Sequence, residues 1–175
     1  MSLRHAALGL LAQHPASGYD LLKKFQESMA NVWPATQSQL YGELGKLAEA
    51  GLLKVSDVGP RGRKEYAITD AGRAELLRWM TTPRDDPAFR SAPLLRVYLL
   101  DQLTPAQARE YLESLRQHAE TEHARYEQIH ESHDWTGGDN DFFGRAALEY
   151  GLRFTSMQAH WATWAIEQLD QRKSP

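Results

Sequence analysis

Hydrophobic residues recur at helical spacing along most of the chain, and the helix signals are strong enough to place boundaries. Residues 3–13 carry the first apolar stretch, which Pro15 stops. A second helix is introduced by Ser17 as N-cap, with Asp20 three residues on, and continues through Leu21, Leu22 and Phe25. A third opens at Thr36, where a hydroxyl at the N-cap and the Gln39 amide three residues later can satisfy orphan backbone N–H groups reciprocally. Its apolar stripe is Leu40, Leu44, Leu47 and Ala48, and Gly51 closes it as a C-cap. The period then changes to an extended one: residues 52–58 and 64–69 flank a turn of Gly59, Pro60, Arg61, Gly62 and Arg63 and read as a hairpin. Thr69 caps a fourth helix containing Ala74, Leu77 and Trp79.

Residues 81–93 contain three prolines and four charges without an apolar period, which predicts a linker between residues 1–80 and 94–175. Beyond it, Thr104, Pro105 and Gln107 supply an N-cap, a proline at the first helical position and an N3 amide. Ala108, Leu112, Leu115, Ala119, Glu122, Tyr126 and Ile129 then form a heptad seam. A Gly- and Asp-rich loop is expected over residues 134–141.

The last helix carries two seams. One is Phe143, Ala147, Tyr150, Phe154, Met157, Trp161 and Trp164; the other is Leu148, Leu152, Thr155, Ala159, Ala162, Ile166 and Leu169. An offset of five residues sets them ~140° apart around the helix. A helix apolar on two faces must bury both, and a second copy of the chain is the simplest supplier for one of them, with ordinary intrachain packing as the other option. The expected fold is therefore mainly α: an N-terminal winged helix-turn-helix of three helices plus a β-hairpin wing, followed by a helical dimerisation domain.

Composition narrows the chemistry. The 175 residues are 42% hydrophobic and 25% charged, ordinary for a globular protein, and include no cysteine. Disulfide frameworks, Cys-ligated zinc, iron–sulfur clusters and cysteine nucleophiles are thereby excluded. No stretch approaches the ~18 apolar residues of a membrane span, so no membrane association is expected, and a cytoplasmic location follows as the default. The net charge of −3 hides an asymmetry: residues 1–80 hold ten Lys/Arg against eight Asp/Glu, and residues 81–175 hold ten against fifteen. A nucleic-acid partner must therefore be judged on the N-terminal part alone.

That part has the required features. With Leu44 turned to the core, the opposite face of the third helix carries Gln39, Gly42 and Lys46, flanked by Ser38 and Glu49. In helix-turn-helix proteins this second helix of the pair enters the major groove. Gln37, Ser38 and Gln39 are best placed for base edges, Gln39 by a bidentate pair with adenine, and Lys46 for phosphate. At the wing tip Arg61, Arg63 and Lys64 make a thin cationic loop suited to phosphates or a minor groove.

These residues resemble a known family. Ser17-Gly18-Tyr19-Asp20-Leu21, then Val32-Trp33-Pro34-Ala35-Thr36-Gln37-Ser38-Gln39-Leu40-Tyr41-Gly42-Glu43-Leu44, then Leu47-Ala48-Glu49-Ala50-Gly51-Leu52, then Arg63-Lys64-Glu65-Tyr66-Ala67-Ile68-Thr69-Asp70-Ala71-Gly72 look like PadR-type transcriptional regulators. The C-terminal half, through Leu94–Leu100 and Phe154–Trp164, is similar to the virulence-activator-type helical domain of one branch. The resemblance implies a dimeric winged-helix protein, usually a repressor, with its third helix and wing on operator DNA. It carries Tyr41 over as a DNA-backbone contact and Thr36 as the hydroxyl opening the recognition helix, where the family often has Ser. Position 42, commonly a larger polar residue, is Gly here.

Trp33, Trp79, Phe154, Trp161 and Trp164 are the candidates for an aromatic effector pocket, although aromatic stripes at helical spacing more often serve as core or interface. His118, His123, Glu127, His130 and His133 form a metal-like constellation that reads first as a solvated helix face, so no metal and no cofactor are expected. Catalytic signatures such as G-x-S-x-G, a P-loop or H-E-x-x-H are missing, and the expectation is a protein that is not an enzyme. Two other readings use the same features: a winged-helix adaptor that binds protein through its third helix, and a small-molecule sensor or carrier built on the aromatic pocket.

Overall fold

The computed structural model describes residues 2–28, 33, 35–57, 64–82 and 90–172. The chain divides into two compact units, residues 1–86 and 87–175.

In the first unit, α1 (Ser2–Gln13), α2 (Gly18–Ser28) and α3 (Gln37–Glu49) precede a hairpin of β2 (Leu53–Asp57) and β3 (Lys64–Ile68), and α4 (Asp70–Thr81) follows. Ala16 and Ser17 form an additional short strand, β1, which pairs antiparallel with Tyr66 and Glu65 of β3. The sheet is thus three-stranded, in the order β1-β3-β2. Two residues have no periodicity to betray them, and the sequence pattern predicts only the hairpin. Ser17 still caps α2 as expected: its Oγ accepts from the Asp20 N–H at 3.2 Å while donating to the Asp20 carboxylate at 2.8 Å.

The core of this unit closes on large side chains. Leu8 and Leu11 of α1, Leu21 and Phe25 of α2, and Leu40, Leu44 and Leu47 of α3 are all essentially inaccessible. The end of α3 explains how the sheet is reached. Ala50 is the C-cap, and Gly51, at φ 69°, takes the left-handed position that follows it. The Gly51 N–H donates to Ala48 O at 3.0 Å and the Leu52 N–H to Leu47 O at 2.9 Å, the paired bonds of a Schellman turn. Leu52 O then accepts from the Thr69 N–H at 3.1 Å, and the Thr69 hydroxyl donates to Gly51 O at 2.9 Å. Gly72 completes the junction, because a Cβ there would lie 2.3 Å from Leu52 O.

In the second unit, α5 (Ala92–Tyr98) and a short 3-10 turn lead into α6 (Pro105–Ser132) and α7 (Asp139–Gln171), which pair along their length. Both ends of the expected linker at residues 81–93 belong to helices. Thr81 closes α4, and Ala92 and Pro93 sit in the first turn of α5, where Ser91 Oγ accepts from the Leu94 N–H at 3.3 Å. Proline is tolerated in that first turn, so Pro93 begins a helix instead of preventing one. Similarly, the loop expected over residues 134–141 ends early: α7 starts at Asp139, after Gly138 at φ 86°. The Asp139 and Asp141 carboxylates favour this helix N-terminus, and Asp141 also accepts from the Gly137 N–H at 2.7 Å.

Candidate nucleic-acid interface

The outward face of α3 is built from its first turn. The Thr36 Oγ1 accepts from the Gln39 N–H at 3.3 Å, and Gln39 Oε1 accepts from the Thr36 N–H at 2.8 Å, so the capping box is complete. This committed position changes the role expected of Gln39. Its amide oxygen is spent on the helix end, so a bidentate pair with adenine requires opening the box; in the observed rotamer only the amide NH₂ points away from the cap. Gln37 and Ser38, both exposed beside it, carry no such obligation.

With Leu40, Leu44 and Leu47 buried, positions 41, 42, 45, 46 and 49 face solvent. Lys46 is exposed, 3.9 Å from the Glu43 carboxylate at a separation of three residues, a loose pair that leaves its ammonium accessible. Gly42 and Gly45 lie on this face with open space around them, so a groove wall could approach the backbone there. Lys64 is exposed at the start of β3. Arg61 and Arg63, the other two cations of the expected wing tip, lie outside the described residues.

Tyr41 is held by a contact that the hydrophobic pattern does not mark. Its ring edge lies against Gly18, the first residue of α2, so closely that a Cβ on Gly18 would be 2.6 Å from Cε1 and 3.2 Å from the hydroxyl. The sequence signal was a glycine directly after a helix N-cap, a place where glycine has no special advantage.

A second arrangement missed by the pattern joins α1 to α4. The buried His5 imidazole stacks on Trp79, with ring centroids 4.4 Å apart and an interplanar angle of 8°. His5 Nε2 lies 3.3 Å from Glu75 Oε1. The Glu75 carboxylate also accepts from the Arg78 guanidinium at 2.7 Å, and Arg78 first and His5 second hold its pKa below the ordinary value. Trp79 is thus engaged inside the first unit, and Trp33 is exposed on it.

The remaining aromatic candidates belong to the second unit and divide among themselves. Met157 and Trp161 line an open cavity of about 850 Å³ together with His123, Glu149, Leu152, Arg153, Ser156 and His160. Phe154 and Trp164 stand outside that lining, exposed on α7 with Phe143, Ala147 and Tyr150. Within the His constellation, His123 Nδ1 is 2.9 Å from Thr155 Oγ1 and 3.1 Å from Leu152 O, and its Nε2 is 3.6 Å from Glu127. Imidazole and helix backbone are therefore tied together across α6 and α7. Among the described residues no three His, Asp or Glu side chains converge as a metal site. Nor, among them, is any helix long and apolar enough to cross a membrane.

Comparison with known proteins gives two matches in tandem. Residues 7–78 match the transcriptional regulator PadR-like family, and residues 89–170 match the virulence activator alpha C-terminal domain. A probable transcriptional regulator of Mycobacterium tuberculosis is 40% identical over 86 residues, 47% of this chain and 46% of that protein. The negative transcriptional regulator PadR of Bacillus subtilis is 33% identical over 110 residues, 61% of this chain and 60% of that one. The chain thus spans between about half and three fifths of the length of the curated relatives it matches. Bacillus subtilis PadR solved with operator DNA has the same fold, with a TM-score of 0.85 at 24% identity over 97% of this chain and 99% of that one. The same protein solved with p-coumaric acid gives 0.85 at 25% identity, again over 97% and 99%. The two consecutive domain matches, on a fold shared along nearly the whole chain, give this chain the domain order of a PadR-type winged-helix regulator with a virulence-activator-type C-terminal helical domain.

Proposed function

We propose that the protein is a sequence-specific DNA-binding transcriptional regulator, acting in the cytoplasm as a homodimer and repressing from a pseudo-palindromic operator. Residues 1–80 are the reading head and residues 94–175 the dimerisation part. The observation that carries this reading is the outward face of α3: a capped helix start, accessible Gln37 and Ser38, and an exposed Lys46, on a unit that holds ten cations against eight anions over residues 1–80. Base edges fall to Gln37 and Ser38, with the Gln39 amide NH₂ beside them, while Thr36, Tyr41, Lys46 and Lys64 position the backbone and Arg61 and Arg63 complete the wing. Two-fold symmetry sets half-sites one helical turn, ~34 Å, or a multiple apart. The name of one relative, the negative transcriptional regulator PadR of Bacillus subtilis, supports the same sign of regulation.

Release by a small aromatic effector is part of the proposal. The cavity lined by Met157 and Trp161 offers stacking surface next to the cationic Arg153, and Bacillus subtilis PadR has been solved with p-coumaric acid.

Fluorescence anisotropy on duplexes from the protein's own upstream region, read over a range of salt, tests the DNA reading. Neutralising Arg61 and Arg63 together should weaken all duplexes and flatten the slope of log K against log salt by about one unit per lost phosphate contact. An unchanged slope would take the wing out of the interface, and no binding by the unaltered protein would leave the adaptor reading in place of the regulator.

A further inference from the structure

Glycine at position 18 is not required by the backbone. Among the described glycines only Gly51 and Gly138 have positive φ, so any residue could adopt the conformation found at Gly18. Position 18 also begins a helix, where glycine is a poorer choice than alanine. What the position does not tolerate is volume. Gly18 is buried, and the three atoms nearest to a Cβ there all belong to one side chain: Tyr41 Cε1 at 2.6 Å, Cζ at 3.1 Å and the hydroxyl oxygen at 3.2 Å.

Tyr41 is therefore seated by the absence of a side chain on another helix. The seat fixes the ring edge against the start of α2 and leaves the hydroxyl at the boundary between the buried Gly18 and solvent, with the residue still partly exposed. Among the described residues that hydroxyl has no hydrogen-bond partner, so its donor is available to something outside the protein. The ring is the far end of a flexible side chain, and a methyl group at position 18 would be relieved by rotating Tyr41 away. The fold would survive; the placement of the hydroxyl would not.

We propose that Gly18 is a positioning residue for DNA binding, which holds the Tyr41 hydroxyl where it can donate to a backbone phosphate. The inference rests on the DNA-binding reading above and adds to it a residue that never touches the nucleic acid.

The test is a double-mutant cycle in the full chain, using Gly18→Ala, Tyr41→Ala and both together, with Tyr41→Phe as the hydroxyl deletion. Affinity is read by anisotropy on the upstream duplex, and fold by thermal midpoint. Losing a hydrogen bond to a charged group corresponds to a drop of about tenfold, so Gly18→Ala and Tyr41→Phe should each weaken binding by about that factor. In the Tyr41→Ala background, Gly18→Ala should cost no further affinity, and the thermal midpoint should hold or rise because alanine is then free to act as the better helix former. Additive losses, or full affinity in Gly18→Ala, would overturn the proposal. If Gly18→Ala fails to fold but regains a normal midpoint when Tyr41 is also Ala, the seat is supported; a failure that persists in the double variant counts against it. Failure of the unaltered protein to bind any upstream duplex would sink the DNA-binding reading itself, an outcome distinguishable from binding that ignores position 18.

Discussion

The two units place side-chain size in opposite positions. In the first, Phe25 and six leucines are shut away while the exposed face of α3 is polar and glycine-rich. In the second, the buried positions on α6 and α7 are Ala108, Leu112, Ala119, Leu148, Thr155, Ala162 and Ile166, whereas Phe143, Tyr150, Met157 and Trp164 are each more than half exposed. Small residues let two long helices approach closely, and Gly151 does the same for Tyr126, whose ring would sit 3.0 Å from a Cβ on that glycine. But a helix pair has only one seam to close, and the larger side chains are left over. The first unit closes a core of large side chains; the second leaves an apolar face of α7 uncovered.

The largest expected effect breaks that contrast at α7. Introducing Tyr150→Glu and Trp164→Glu puts two carboxylates on the exposed seam, where they are tolerated by a free helix and costly in a desolvated interface. The dissociation constant of the homodimer should rise by about a hundredfold or more, measured by analytical ultracentrifugation, with helical circular dichroism retained in the monomer. An unchanged dimer mass would mean that this face does not bind a second copy. In the unaltered protein the same logic makes the thermal midpoint of the second unit rise with protein concentration.

A smaller effect belongs to the first unit. Leu44 is fully buried in the centre of the α3 stripe, and Leu44→Ala should cost about 2–5 kcal/mol, the range for a leucine truncated in a closed core. Urea unfolding followed at two protein concentrations separates the cases: the loss should be independent of concentration and leave the dimer mass intact. A concentration-dependent loss would show that the core of the reading head is completed by a partner, contrary to the comparison drawn above.

How far each unit could be read in advance follows from the same physics. Periodicity reports which positions are apolar, and on α3 the apolar stripe Leu40, Leu44, Leu47 is also the buried one; the Thr36 and Thr69 caps and the hairpin are visible in the pattern too, whereas Ala74 and Leu77 of α4 are exposed. On α7 the pattern correctly divides the helix into two seams, and packing against α6 covers only the one through Leu148, Thr155 and Ala162. Close approaches were not legible, because they depend on elements distant in sequence. Gly18 under Tyr41, Gly72 against Leu52 O and the two-residue strand at Ala16 leave no periodic trace. Polar contacts between helices were equally hidden. His5 sits within the first apolar stretch, and its partners Glu75 and Trp79 lie some seventy positions away. The capping box at Thr36 was legible as a motif, but its consequence, that the oxygen of Gln39 is occupied, required the rotamer.

The smallest effect sharpens the comparison through acid. Glu75 has its pKa lowered by Arg78 and then by His5, so it is ionised in the folded state at pH values where the unfolded chain has begun to take up its proton. A group with a depressed folded pKa contributes stability above its ordinary value, here 4.5, and that contribution is lost as pH falls toward and through the folded value. Glu113 and Glu122 are depressed in the same direction by Arg116 and Arg125. Those pairs, however, lie three residues apart on α6 itself and survive in any helix that retains that turn, whereas the His5 contact ties α4 to α1. Acidification from about pH 6 to pH 3.5 should therefore loosen the first unit before it affects α6. Hydrogen exchange would show this as faster exchange in residues 2–13 and 70–81 with α6 still protected, and Glu75→Gln should remove most of the difference between the two pH values. Equal loss of protection in both units would mean that Glu75 is no more a tertiary link than the in-helix pairs of α6.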